Sequence, residues 1–175
     1  MTVIAEKDRS TVRDLLAREL VEDVELLLFK HGRAPSDVAR LRDGGTGDET
    51  QELLEELSDL SDRLSLTSLD VGADPSLATR YNVTAVPTVM IRRRNGTTNL
   101  GDPSASARGD AAPETPAEPG TGVRFLGLPG GYEFSTLLAD VVDVSKGRTD
   151  LSPETRAAVQ AIERPVRIQV FVTPT

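Results

Sequence analysis

An α/β fold built around a mixed sheet is predicted by three features of the sequence. Short apolar strand-like runs alternate with amphipathic helical stretches in the order β-α-β-α-β-β-α, after an extra N-terminal helix. An Asn95-Gly96 turn signal marks a hairpin between the third and fourth strands. The run VELLLF at 24–29 returns near the end as VRIQVF at 166–171, each preceded by a helical stretch, which reads as the start of a second copy of the opening unit.

Asp8 to Val21 reads as a helix with Val12, Leu15, Leu16 and Leu20 inward and Asp8 or Ser10 as its cap. Val24 to Phe29 is a continuous apolar run, the pattern of a strand buried on both faces. Lys30 to Asp48 is polar, carries Gly32, Pro35, Gly44, Gly45 and Gly47, and reads as a loop. Glu49 to Arg63 is a second helix with a Leu53, Leu54, Leu57, Leu60 stripe. Leu64 to Asp70 alternates as a strand does, and Asp74 to Tyr81 suits a short helix with Asp74 at its cap and Pro75 in its first turn.

Val86 to Ile91 is the third strand, followed by Arg92-Arg93-Arg94. The stretch 97–121 is rich in Ala, Pro, Gly, Ser and acids, and its composition predicts a flexible insertion. Val123 to Gly127 returns as an antiparallel fourth strand, and Tyr132 to Val144 forms the closing helix with Phe134, Leu137, Leu138, Val141 and Val142 inward. The first unit is thus expected over 1–148. Residues 149–175 would supply the first helix, capped by Ser152, and the first strand, Val166 to Val172, of a truncated second unit.

Composition excludes several functions. The 175 residues carry a net charge of −8, which repels nucleic acid and anionic lipid, so neither is expected as a partner. No apolar run approaches the roughly 20 residues that span a bilayer, and no secretory leader is apparent, so a cytoplasmic location is expected. Only Lys7, Lys30 and Lys146 are lysines among many carboxylates, a balance that fits either a salt-adapted microbe or a GC-rich genome. There is no cysteine, which excludes structural disulfides, thiolate nucleophiles and thiolate metal sites within the chain.

Candidate sites are few, and no cofactor is expected. Gly44-Gly45-Thr46-Gly47 lacks the Lys-Ser/Thr of a phosphate loop and reads as a plain loop. His31, with Ser36 and Asp37 close by in sequence, reads as a solvated histidine, because catalytic triads assemble from distant segments. Glu49, Glu52, Glu55, Glu56, Asp59 and Asp62 read as the solvated face of the second helix. Arg92-Arg93-Arg94 reads as a solubilising strand end, or else a contact for an acidic partner.

Tyr81-Asn82-Val83-Thr84-Ala85-Val86-Pro87-Thr88-Val89 resembles the Y-x-V-x-x-V-P-T signature of thioredoxin folds. The segment VRFLGLPGGYEFSTLLADVVDVSKGRTDLSPETRAAVQAI from Val123, with the closing VRIQVFVTPT, resembles the central part of the two-unit protein disulfide oxidoreductases of archaea, also called glutaredoxin-like. The resemblance implies a cis proline at Pro87 and a peptide-binding role for the Val86 backbone. It also implies a Cys-x-x-Cys in the first unit at approximately Gly44 and Gly47, and a second one just past Thr175. The first pair is missing, so the implied family protein is redox-inactive in itself. It is then either a peptide- or protein-binding scaffold, or the N-terminal portion of an oxidoreductase whose thiols lie in a complementary second unit.

Overall fold

The computed structural model describes residues 3–32, 46–94 and 123–170. Among the described residues nine elements follow one another: α1 (Glu6–Glu19), β1 (Val24–Lys30), α2 (Thr46–Ser58), β2 (Leu64–Asp70), α3 (Ser76–Arg80), β3 (Thr88–Arg93), β4 (Val123–Leu126), α4 (Tyr132–Lys146) and α5 (Pro153–Gln160). The four strands form one mixed sheet in the order β2-β1-β3-β4. β1 runs parallel to β2 and antiparallel to β3, and β3 runs antiparallel to β4. This is the mixed α/β architecture expected from the order of apolar runs.

β1 is central, and its unbroken apolar sequence follows from that position. Leu26 and Leu28 point into one core with Val89, Ile91, Leu16 of α1, Leu53, Leu54 and Leu57 of α2, and Leu137 and Val141 of α4. Leu27 and Phe29 point to the other face, where they meet Val71 and Met90 and are covered by Leu77, Tyr81, Val83 and Val86. The three long helices thus share one face, and among the described residues the short α3 and the turn after it cover the other. Full burial of each such leucine contributes about 1.5–3 kcal/mol, so the larger core supplies most of the stability.

Polar contacts fix the corners. Ser145, fully buried near the end of α4, accepts from the N–H groups of Val21 (2.9 Å) and Glu22 (3.0 Å) and donates to Glu22 O (2.6 Å). Gly147 closes α4 at φ 64°, a backbone conformation that favours glycine, and donates to Asp143 O; a Cβ there would push the Arg93 guanidinium aside.

Three expectations differ from the structure. No side chain caps α1, which starts at Glu6 with Ala5 before it, because Asp8 and Ser10 already lie inside its first turns. Pro75 occupies the cap position of α3, and Asp74, one residue earlier, accepts instead from the Ser76 N–H and hydroxyl. The Val166–Val172 strand is not formed over its described part. Residues 166–170 are irregular and exposed, because alternation alone cannot make a strand without a neighbour to share hydrogen bonds. The α5 helix before them does form, with Ser152 Oγ accepting from the Thr155 N–H at 3.2 Å. The Asn95-Gly96 turn, the 97–121 insertion and residues 171–175 lie outside the described residues.

Candidate functional site

The strand registers gather one end of the sheet. Lys30 pairs with Asp70 across β1 and β2, and Phe29 pairs with Thr88 across β1 and β3. Thr88 pairs in turn with Leu126, and the Gly127 N–H donates to Pro87 O at 2.9 Å. His31-Gly32, Asp70 to Ala73, Val86-Pro87 and Gly127 therefore converge from four strands. For the parallel pair β1 and β2 this is the carboxyl end, where open α/β sheets place their ligands.

The segment carrying Val86 is shaped by its neighbours. After α3, Tyr81 N–H bonds to Leu77 O (2.9 Å) and Val83 N–H to Ala78 O (2.8 Å), so the chain wraps the end of the helix. The Tyr81 ring lies 5.0 Å from Phe29, and the Arg80 guanidinium sits 5.6 Å over it. Val83 and Val86 rest on the smaller core. The Val86–Pro87 peptide bond is cis. Pro87 and Thr88 are buried, and the Thr88 hydroxyl donates to Ala85 O at 2.6 Å. Among the described residues, no hydrogen bond reaches the N–H or the C=O of Val86. A free donor and a free acceptor thus stand on a partly buried residue at the sheet end, which is what an added extended strand pairs with.

Asp70 clips the neighbouring loops. Its Oδ1 accepts from the N–H groups of Gly32 (2.8 Å), Gly72 (2.8 Å) and Ala73 (3.2 Å). Burial raises its pKa, but these three donors and the nearby His31 outweigh it and hold the carboxyl below its ordinary value. His31 is partly exposed, as expected of a solvated residue, and stands near enough to Asp70 to act on its carboxylate. Lys30 reaches Asp48 in the first turn of α2, Nζ to Oδ1 at 2.6 Å.

Other sequence-level sites are placed differently. Gly47 is buried within α2, whose described residues Thr46–Ser58 include three before Glu49. Gly44, Gly45, Ser36 and Asp37 lie outside the described residues. Glu56 departs from the solvated acidic face. It accepts from Val3 N–H (2.7 Å), Ile4 N–H (3.0 Å) and Arg9 Nη1 (3.0 Å), tying the N-terminal segment to α2. Burial raises its pKa, yet those donors bring the net shift down. The arginine run is used internally: Arg92 pairs with Glu25 at 2.7 Å, and Arg93 Nε donates to Val144 O at 2.8 Å. Among the described residues, no group of three or more His, Cys, Asp or Glu is placed to hold a metal, and no helix is long and apolar enough to cross a membrane.

Sequence reasoning missed the Asp70 clip. Half of it was visible, since Asp70-Val71-Gly72 has the form of an Asx turn. The Gly32 half comes from 38 positions away and leaves no local trace.

No protein-family model matches the chain, and no curated protein matches it in sequence. Solved structures do match in shape. A protein disulfide oxidoreductase from Aeropyrum pernix superposes with a TM-score of 0.61 at 21% identity, over 90% of this chain and 54% of that one. The alkylhydroperoxide reductase protein AhpF of Enterococcus faecalis matches with a TM-score of 0.63 at 19% identity, over 91% of this chain and 61% of that one. The NTD_N/C domain of the same protein matches with a TM-score of 0.64 at 19% identity, over 92% and 62%. The chain thus spans 54–62% of the length of the structures it resembles. At these identities the likeness establishes the fold, and the fold of this chain is thioredoxin-like.

Proposed function

We propose that this chain is a thioredoxin-like unit, redox-inactive in itself, that binds an extended peptide or protein segment along Val86-Pro87. The observation that carries the reading is the Val86 N–H and C=O, which have no hydrogen-bond partner among the described residues and sit on an apolar floor at the convergence of four strands. Disulfide exchange needs an attacking thiolate and a resolving thiol, and the sequence holds no cysteine. The Cys-x-x-Cys of such a unit is read as lost at approximately Gly44 and Gly47. The acid-rich, lysine-poor composition supports a salt-adapted archaeal, cytoplasmic setting without nucleic-acid or membrane partners.

Panning a random peptide-display library against the full chain tests this. Enriched peptides that lose binding to a Val86→Pro variant, which lacks the N–H, support the reading. Peptides that bind both proteins equally, or no enrichment, contradict it.

A second reading is favoured by one observation. Residues 151–170 are exposed throughout, including Val159, Ile162, Val166, Ile168 and Val170. They suit a chain that is the N-terminal portion of a thiol-disulfide oxidoreductase, completed by a second thioredoxin-like unit bearing Cys-x-x-Cys. Mixing the chain with such a unit should give a stable complex that reduces disulfides; no complex at micromolar concentration removes this reading.

A further inference from the structure

We infer that Arg124 is the positioning residue that holds the 82–87 segment in its ligand-ready shape from β4; the inference rests on Val86-Pro87 being the binding site. Arg124 pairs with Met90 across β3 and β4, and so stands on the sheet face that also carries Leu27 and Phe29. Its Nη1 donates to Asn82 O at 2.8 Å. Asn82, at φ 50°, is the only non-glycine residue with positive φ among the described residues. Asparagine tolerates that left-handed turn better than most side chains, and the turn sets the direction of the chain into Val83.

Arginine is a poor choice here for stability alone. Its Nε is buried without a hydrogen-bond partner among the described residues, and burial lowers the guanidinium pKa, both of which oppose folding. A methionine or lysine would fill much of the same space without that orphan donor. What arginine adds is a rigid, planar donor that reaches the Asn82 carbonyl. β4 and the residue after it thereby grip the segment at two points: Arg124 holds Asn82, and Gly127 holds Pro87 O at 2.9 Å. Between these anchors Thr84 and Val86 make no backbone hydrogen bond among the described residues. The anchors fix the segment while leaving the Val86 pair open, which lowers the ordering cost of binding.

The test uses the full-length Arg124→Met and Arg124→Lys variants. Three quantities are read: hydrogen exchange at the Asn82 and Val83 amides, NMR order parameters of Thr84 to Val86, and affinity for a display-selected peptide. In Arg124→Met, exchange at Asn82 and Val83 should rise about tenfold, as loss of one hydrogen bond from a charged donor implies. Order at Thr84 to Val86 and peptide affinity should fall with it, while protection of Leu26 to Leu28 in β1 stays unchanged. Arg124→Lys should restore part of each. Unchanged exchange at Asn82 and Val83 overturns the inference. So does a rise shared equally by β1 in both variants, which marks a purely structural role. If the segment loosens as expected but no peptide binds the unaltered protein, the positioning role stands and the peptide-site reading fails.

Discussion

Gly32 and Asp70 are fitted to each other so closely that a side chain on the first would displace the second. The Gly32 N–H donates to Asp70 Oδ1 at 2.8 Å, and a Cβ built on Gly32 would stand 2.1 Å from Asp70 Oδ2. The same Oδ1 also holds Gly72 and Ala73. To admit a methyl group, the carboxylate must swing away from three backbone donors. Gly32→Ala should therefore cost about 1–3 kcal/mol in urea unfolding. Adding Asp70→Ala to it should cost little more, because both changes break one clip. Full additivity in that cycle would contradict the clip.

Acid should open this clip. The folded pKa of Asp70 is depressed, so its contribution to stability is fully present above the unfolded value of about 4. It is lost as pH falls through the lower folded value. Asp70→Asn keeps an acceptor oxygen but cannot ionise. The stability gap between the parent chain and this variant, from urea midpoints, should be constant above about pH 5 and narrow as the solution is made more acid. A gap independent of pH would contradict the assignment. Glu56 is depressed in the same sense, so Asp70→Asn should remove part of the acid sensitivity and leave the rest.

Ser145 bridges α4 to the turn before β1 through one hydroxyl that serves three backbone groups. Ser145→Ala should destabilise the fold by about 2 kcal/mol, since it leaves backbone donors and an acceptor unpaired next to the core. Denaturant midpoints measure this. A change below about 0.5 kcal/mol would show that water replaces the hydroxyl.

The α5 helix should melt on its own. All its residues are exposed, and Ser152 is its cap. Ser152→Ala should reduce helicity at 153–160, read from 13Cα shifts, by removing a cap worth about 1 kcal/mol. The global unfolding midpoint should not move, because local elements without buried contacts open independently. A falling global midpoint would mean that α5 is packed against the body.

The backbone plan was largely legible in the sequence, and the site was legible only in part. β1 declares itself in VELLLF because both its faces are covered, and β2 in the alternation of LSLTSLD. The Val86-Pro87 segment was found through a local motif. What escaped is tertiary. Glu56 looks like its acidic neighbours on α2, and only the return of the N-terminal segment singles it out. His31 comes near Asp70 because parallel register brings the ends of β1 and β2 together. Arg92 and Arg93 read as a charge run, yet Glu25 and the Val144 carbonyl engage them from positions far away in sequence. Val166, Ile168 and Val170 have a strand's pattern without a strand's neighbour, and pattern cannot supply pairing.

The most direct measurement is the 15N-labelled spectrum of the full chain titrated with its display-selected peptide. The Val86 amide should shift to a hydrogen-bonded position and gain exchange protection. Thr84, Ala85 and Gly127 should follow, while the outer-edge strand β2 stays unchanged. Shifts confined to β2 or to residues 151–170, with Val86 unmoved at saturation, would contradict it.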